Sequence, residues 1–457
     1  MKISIFVEVT VPRPWAPTTE HQAFTEVLEQ IEFADKQGFH SVWVTEHHFM
    51  EEYAHASAPE ILLAAAARTT TNIRLGHGIV SMPPGVNHPA RVAERISTLD
   101  LISNGRVEFG TGESSSVAEL GGFEIDPGKK REMWREGVKV ATRCMSEEPF
   151  TGFTGEFVSM PPRNVVPKPM QRPHPPVWVA CTRPATMTMA AENGLGALAF
   201  VTKADVDSVR ADVERYYSTF ESSAVPLTGT LNPNVLYTGG NMMVASSYEQ
   251  AVDRIGHSGG FFPWAIGYYY VTGDHHPGRD ELYRTYEAVA KGEAAPHELR
   301  LDENSQGTRA DWKRLASEAL QKNLSAWPGV GTPDMVRERI RAYEDAGLDQ
   351  LMFLLPPVKH EFVMESLEFF GKEIIPEFHE RDEKLQREKA IGLEPALERA
   401  MSRRVDDAPA YDPEYSFGGA PVSFDKTSVA SEVAESRLGL SGEAVQAMAL
   451  RRAGVES

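Results

Sequence analysis

Cysteine is scarce: Cys144 and Cys181 are the only two in 457 residues. That excludes a disulfide framework and a four-cysteine zinc site, and it suits a reducing cytoplasm. Positive charge is in deficit, with 46 Lys and Arg against 65 Asp and Glu, a formal net charge of -19 at pH 7. No basic stripe offsets that charge, which repels a phosphate backbone, so no nucleic-acid partner is expected. Long apolar runs are missing too. No stretch approaches the ~20 apolar residues of a membrane span. The N-terminal MKISIFVEVT alternates and has no small-residue cleavage site, so it reads as a first strand and not as a signal peptide. A soluble, cytoplasmic protein is expected. Two nucleotide signatures are absent as well: GTGESS has neither the spacing nor the Lys of a phosphate-binding P-loop, and no pyridine-nucleotide fingerprint occurs.

What is present is a globular composition, 41% hydrophobic and 24% charged, rich enough for a large core. Strand and helix patterns alternate along it. Strands are expected around Ile3–Phe6, His40–Thr45, Ile73–Val80, Arg106–Phe109, Val177–Ala180, Leu198–Val201, Asn234–Ala245 and Gln350–Leu355, eight in all, with helical periodicity between them. Such alternation implies a parallel sheet, closed or open. Polar clusters follow the second, third, fourth and fifth strands, which suits a (β/α)8 TIM barrel whose chemistry gathers at many strand ends. An open sheet would concentrate it at one switch point. The barrel is expected over 1–380. It is interrupted by a long insertion, about 257–330, before the last strand-helix unit. The insertion holds an aromatic, glycine-rich loop and a charged helical stretch from Glu281 to Asn323, in the manner of a lid or binding loop. Residues 381–457 form a C-terminal extension, too small and polar for its own core, that wraps the barrel or a second subunit or is partly disordered.

Three segments carry chemistry. Glu46, His47 and His48 follow the second strand, where alternation sends neighbouring side chains to opposite sides, so adjacent histidines do not share a metal and no metal site is expected. A strand-end histidine at a barrel mouth is placed to exchange protons near neutral pH. Gly76 and Gly78 in the third strand would let a planar ligand approach the backbone. Thr111, Ser114 and Ser116 put hydroxyls beside the exposed amides of Gly110–Gly112. Finally, PVWVACTRPATMTMA is a strand, a hydroxyl-bearing turn and a helix start. Thr182, Arg183 and Thr186 there either form a phosphate site on free helix amides or merely cap the helix. The aromatic side chains of GGFFPWAIGYYY either cover an apolar substrate or only pack the loop.

Taken in order, SVWVTEHHF, IRLGHGIVSMP, HPARVAERISTLDLISNGRVEFGTG, PPVWVA and VGTPDMV resemble the bacterial luciferase-like flavin-dependent monooxygenases over about 1–378. The resemblance implies reduced FMN (FMNH2) across the barrel mouth, reaction with O2, and oxygenation of a small, apolar or aromatic substrate. A separate NAD(P)H flavin reductase and a homodimer or higher oligomer are the implied partners. It makes His47 the catalytic histidine and Glu46 an acidic residue beside the flavin. Gly78 and Ile79 become a non-proline cis peptide behind the ring, and Val179, Ala180, Cys181, Thr182 and Thr186 the ribityl and phosphate contacts. Glu113 departs from the pattern, standing where the luciferases place an Arg, and Arg183 is the expected replacement. A deazaflavin (F420)-dependent oxidoreductase on the same barrel, or a non-catalytic flavin-binding protein, is the alternative.

Overall fold

The computed structural model describes residues 1–200, 205–256, 258–272, 275–291, 293 and 327–417. His257, most of the charged stretch expected to reach Asn323 and the expected terminal helix lie outside them.

Eight parallel strands close on themselves. In chain order they are β1 (Lys2–Val7), β2 (Ser41–Val44), β3 (Arg74–His77), β4 (Val107–Gly112), β5 (Val177–Cys181), β6 (Gly196–Ala199), β7 (Val235–Asn241) and β8 (Gln350–Leu354). Each pairs with its sequence neighbours: Ser4 lies opposite Ser41, Val42 opposite Leu75, Leu75 opposite Val107, and Ile3 opposite Leu351 to complete the ring. The fold is the (β/α)8 barrel expected from the alternation, and all eight expected strands are present. Its helices begin where the sequence supplies a start. Proline opens Pro59–Thr69, Pro89–Ile102, Pro184–Glu192 and Pro333–Asp345, at a position whose N–H would have no helical acceptor. Hydroxyl or carboxylate caps hold Val206–Ser223, Tyr248–Ile255 and Pro333–Asp345.

Period-two alternation divides each strand between two cores. Ile3, Ile5, Val42, Val44, Val179 and Cys181 belong to the large outer layer against the helices. Phe6, Trp43, Trp178, Leu198, Leu236, Met352 and Leu354, drawn from six strands, form a separate cluster that fills the lumen. The indoles of Trp43 and Trp178 meet edge to face, with ring centroids 5.5 Å apart. Glycines make room for them: a Cβ on Gly76 would lie 2.4 Å from the Trp43 ring, and one on Gly196 2.4 Å from the Trp178 ring. Gly76 in the third strand therefore admits a neighbouring side chain.

The excursion before β5 is ordered, as its prolines suggest, around an antiparallel pair between Phe153–Thr154 and Ser159–Met160. Two expectations change. The aromatic insertion is helical, Phe261–Gly267 running into a π-turn at Tyr268–Thr272, because Phe261, Ala265, Tyr268 and Tyr269 recur at helical spacing and are buried together. The helix Ile375–Ser402 also passes through position 380, and the first compact unit runs Met1–Ala408. Of the second unit, Pro409–Ser457, the described part holds a turn in which the Asp412 carboxylate accepts the Glu414 N–H.

Backbone contact makes Gly110 a test of this packing. A Cβ there would lie 1.9 Å from the His77 carbonyl oxygen, whereas one on Gly121 meets nothing within 4 Å. Gly110→Ala is expected to cost at least ~1–3 kcal/mol, the price of overpacking. Gly121→Ala should stay within ~0.5 kcal/mol. Urea midpoints of the two variants against the parent check this.

Candidate active site

The lumen-facing register continues past the strand ends. Ser4 and Phe6 are followed on the same side by Glu8, and Ser41 and Trp43 by Thr45 and His47, so Glu8 and His47 meet above the aromatic floor. His47 Nδ1 lies 2.9 Å from Glu119 Oε1, and Nε2 lies 3.9 Å from Glu8 Oε2. Tyr53 donates its hydroxyl to Glu8 Oε1 at 3.2 Å. Glu8 is 3% exposed, while the His47 side chain keeps 16%, which makes the imidazole the reachable member.

Glu119 organises the group. It sits in the short helix Val117–Gly122, whose N-cap Ser116 accepts the Glu119 N–H. Its carboxylate accepts from the Ser114 and Ser116 hydroxyls, both at 2.8 Å, and from the His48 N–H at 3.1 Å. Burial would raise its pKa, but the His47 hydrogen bond, the His47 charge and the two serines outweigh that and hold the carboxyl at about 2. His47 shows the reciprocal effect: burial alone would lower it, and the Glu119 hydrogen bond with the charges of Glu8, Glu119 and Glu46 raises it above its usual value. Burial drives Glu8 the other way, up to about 7, against the lowering by His47 and Tyr53. Near neutral pH the cluster thus holds an ionised Glu119, a His47 whose protonated form is favoured by the carboxylates around it, and a Glu8 that carries a proton part of the time.

Four non-glycine residues around these strand ends adopt left-handed backbone: Val9 (φ 53), Phe49 (φ 62), Glu52 (φ 56) and Ser114 (φ 58). For a β-branched residue such as Val9 this conformation is a marked outlier, and such strain clusters at functional sites.

The insertion covers this face. Phe262 packs on the lumen cluster and stacks on Tyr53, centroids 5.6 Å apart and rings inclined by 24°. Tyr270, hydrogen-bonded to Ser115, is half-buried close to Glu119 and Glu8. Phe261, Tyr268, Tyr269 and Tyr286 instead pack with one another. The aromatics thus divide between side chains that pack the insertion itself and side chains that face the lumen cluster and the strand ends.

Other expected site residues are distributed less simply. Glu46 points away from His47: its carboxylate accepts from Asn87 at 2.8 Å and from the Ser81 N–H at 3.1 Å, and lies 3.1 Å from His48 Nε2. It lines a pocket of about 10 Å³ behind the strand with His77 and Arg95, outside the lumen. Ile79 packs at the rim of the lumen cluster beside Gly112. The peptide joining it to Gly78 is trans, since the cis bonds among the described residues all precede proline. Thr111 spends its hydroxyl on the Trp178 carbonyl (2.7 Å) and the Trp134 indole (3.0 Å), so its side chain belongs to the barrel wall. Val179 and Cys181 turn outward into the helical layer, and burial pushes the Cys181 thiol up to about 12. Ala180 has the lumen side. The helix Pro184–Glu192 is capped by Arg183, not Thr182. The Thr186 hydroxyl accepts the Arg183 N–H (3.3 Å) and donates to its carbonyl (2.7 Å).

Thr182 and Arg183 are exposed at that helix start. Lys130 stands close by, donating to the Ser114 carbonyl at 2.6 Å, and its pKa is lowered by burial and by the charges of Arg131 and Arg183. Glu113, whose carboxylate would repel an anion, is paired to Arg131 at 2.9 Å with Lys130 at 3.9 Å. The amides of Arg183, Thr186 and Met187 are taken up within the helix start, so it is the surplus positive charge of Arg183 and Lys130 that fits a phosphate, and the apolar mouth lined by Ile79, Phe200 and Phe262 fits a planar ring. Among the described residues no group of three or more His, Cys, Asp or Glu is arranged to hold a metal, and no helix is long and apolar enough to cross a membrane.

Glu8 and Glu119 escape a motif-led reading. The signal for Glu8 is the register Ser4, Phe6, Glu8; for Glu119 it is the S-x-x-E spacing from Ser116, which marks a helix start.

Comparison with known proteins agrees with this geometry. The luciferase-like monooxygenase family profile matches residues 1–350. The oxygenase component of a flavin-dependent trigonelline monooxygenase from Acinetobacter baylyi is 26% identical over 386 residues, 83% of this chain and 96% of the relative. Monooxygenase RslO1 from Streptomyces bottropensis superposes with a TM-score of 0.61 at 26% identity, over 83% of this chain and 100% of that one. At lower identity the likeness is of fold alone. It covers the oxygenating constituent of 3,6-diketocamphane monooxygenase from Pseudomonas putida in complex with FMN (20%, TM-score 0.61, 82% of this chain and 98% of that one). It also covers the F420-dependent tetrahydromethanopterin reductase of Methanopyrus kandleri (19%, TM-score 0.55, 82% and 99%).

Removing the organiser should be costly. Glu119→Ala leaves the half-buried His47 ring and two serine hydroxyls without an acceptor and is expected to destabilise by ~3–5 kcal/mol; Glu119→Gln, which keeps an acceptor, by ~1–3 kcal/mol. The sign of the pH dependence follows from the depressed carboxyl. The stability that ionised Glu119 contributes is present above its ordinary 4.5 and is lost as the pH falls toward about 2. The gap between the parent and Glu119→Gln should therefore close in acid. Urea unfolding from pH 3 to 7 measures it, and a constant gap would contradict the assignment.

Proposed function

The chain belongs to the luciferase-like monooxygenase family, and from that premise we propose that it is the oxygenase of a two-component system that uses reduced FMN and O2 to oxygenate a small apolar or aromatic compound. The observation that carries this reading is His47, seated above the lumen floor, held by Glu119 and flanked by a basic helix start on the same barrel face. The relative from Acinetobacter baylyi is itself an oxygenase component, which supports a separate NAD(P)H flavin reductase as partner.

Bound reduced flavin would supply the electrons that activate dioxygen. The protein's part lies in its own side chains. Arg183 and Lys130 would hold the phosphate. The aromatic mouth would seat the ring, and Phe262 and Tyr270 exclude water from above it. His47, fixed through Nδ1, presents Nε2 to the covered space and so holds or delivers a proton there. Tyr53 and Phe262 give an organic substrate an aromatic wall.

Two outcomes test the reading. Arg183→Ala should weaken FMN binding ~10- to 100-fold, the loss of ~1.5–3 kcal/mol expected for a charged hydrogen bond. Riboflavin, which has no phosphate, should bind unchanged. Titration of the parent with FMN, riboflavin and deazaflavin checks the cofactor directly, and preference for deazaflavin would replace FMN. On any substrate the parent oxygenates, His47→Ala should still bind reduced FMN and consume oxygen. Its productive turnover should fall ~10²- to 10⁴-fold, with hydrogen peroxide formed instead. Peroxide yield per oxygen consumed is the measurement, and an unchanged yield rules out the catalytic role of His47.

A further inference from the structure

One buried polar atom beside His47 has no partner. Glu8 Oε2 makes no hydrogen bond, although Glu8 is 3% exposed and its other oxygen accepts from Tyr53. It lies 3.9 Å from His47 Nε2, too far for a direct bond. A solvent-starved carboxylate leaves a lone pair unsatisfied only at a cost, so the chemistry of this pair needs an account.

Charge supplies it. The groups that face Glu8 are His47 and Thr45 after β2, Tyr53 in the loop beyond, Glu119 in its short helix and Tyr270 in the insertion. Glu119 stays ionised and favours the imidazolium form of His47, whose charge it neutralises. An ionised Glu8 would add an uncompensated negative charge to a buried space, whereas a protonated Glu8 leaves the set neutral. Tyr53 donates to Oε1, so the proton of a neutral Glu8 belongs on Oε2. His47 then offers an N–H and Glu8 an O–H, two donors on the same side of the barrel; the Thr45 hydroxyl lies near the Glu8 carboxyl, but no acceptor stands at hydrogen-bond distance from Oε2.

From this geometry we propose that Glu8 and His47 form a two-donor clamp for a single oxygen atom, the one that gains negative charge as dioxygen is reduced in the site. An oxygen about 2.8 Å from each donor would bridge atoms 3.9 Å apart with an angle of roughly 90° between the two bonds, within reach of two lone pairs. Glu8 is thereby a catalytic residue alongside His47, and no bond is made or broken by the clamp itself. The burial that lifts its carboxyl to about 7 sets the working range. Below that pH the O–H is present. Above it Glu8 ionises and becomes an acceptor for His47, and the clamp closes on itself. The proposal rests on the flavin reading for its ligand but not for its proton.

Glu8→Gln and Glu8→Met separate the possibilities. In the glutamine variant Tyr53 keeps the amide oxygen at the Oε1 position, so an NH2 donor replaces Oε2 at every pH. Methionine fills the space with no donor. Infrared titration of the cofactor-free protein should show a buried protonated carboxyl lost around pH 7 in the parent and absent from both variants. Stopped-flow reoxidation of bound reduced FMN by oxygen should slow in the parent as pH rises through about 7. It should lose that dependence in Glu8→Gln and be ~10²-fold slower at all pH values in Glu8→Met, the loss of one donor to a developing oxyanion. A carboxyl band that persists in Glu8→Gln, an unchanged pH profile in that variant, or parent-like reoxidation in Glu8→Met would overturn the clamp. If the parent binds no reduced flavin, the flavin reading fails on its own, and the infrared titration still decides whether Glu8 holds the proton.

Discussion

Two indoles packed into the bore of the barrel set the floor on which this site stands. Trp43 and Trp178 fill the lumen only because Gly76, Gly110 and Gly196 yield the space, and each indole N–H is satisfied within the bore, by Ser41 at 2.9 Å and Glu108 at 2.7 Å. A core closed in this way leaves no room below for a ligand, so whatever reacts must sit above the indoles, among side chains that follow the strands. Glu8 and His47 are the next lumen-facing positions after Phe6 and Trp43. Their meeting is a consequence of the register, fixed wherever one strand face is buried.

Burying three ionisable groups together is costly, and the arrangement shows how the cost is limited. Glu119 takes four hydrogen bonds, two from serines, one from backbone and one from His47, which is close to the acceptor capacity of a carboxylate. Holding Ser114 in position requires a left-handed residue, and Val9 directly after Glu8 has the same conformation. The helix packing and the sheet must over-determine those conformations for them to persist. Polar satisfaction at Glu119 and incomplete satisfaction at Glu8 are therefore two sides of one design: the first fixes the imidazole, and the second leaves it something to do.

Much of this was legible in the sequence, for stated reasons. Eight strands announced themselves through alternation and turn chemistry, and polar clusters after several of them favoured closure over an open sheet. His47 was legible as well. The side that Glu46 takes follows from register: the alternation that separates His47 from His48 equally separates it from Glu46, which turns toward Asn87. Thr111 was read from its place beside exposed amides and Cys181 from the resemblance, yet neighbours remote in sequence decide the direction of both side chains. Glu119 lies 72 residues from its histidine. No local pattern encodes that distance, although the S-x-x-E spacing from Ser116 is a signal for the helix start that carries it.

The loop after β2 carries a last consequence. Beyond His47 it holds Glu51 and Glu52, which bind the insertion: Glu52 accepts from the backbone N–H groups of Leu282 and Tyr283 at the start of the helix Leu282–Ala290, and Glu51 accepts from the Gly278 N–H. Glu52 is fully buried and also accepts the Arg13 N–H, so the anchor is tied to the segment that leaves β1. Between the anchor and the histidine stands Tyr53, whose hydroxyl bonds Glu8 while its ring stacks on Phe262. One side chain thus touches both the cover and the acid–base pair. The stacking on Phe262 and the hydrogen bond to Glu8 thus orient the same tyrosine, which ties the packing of the insertion to the polar group on the strand ends.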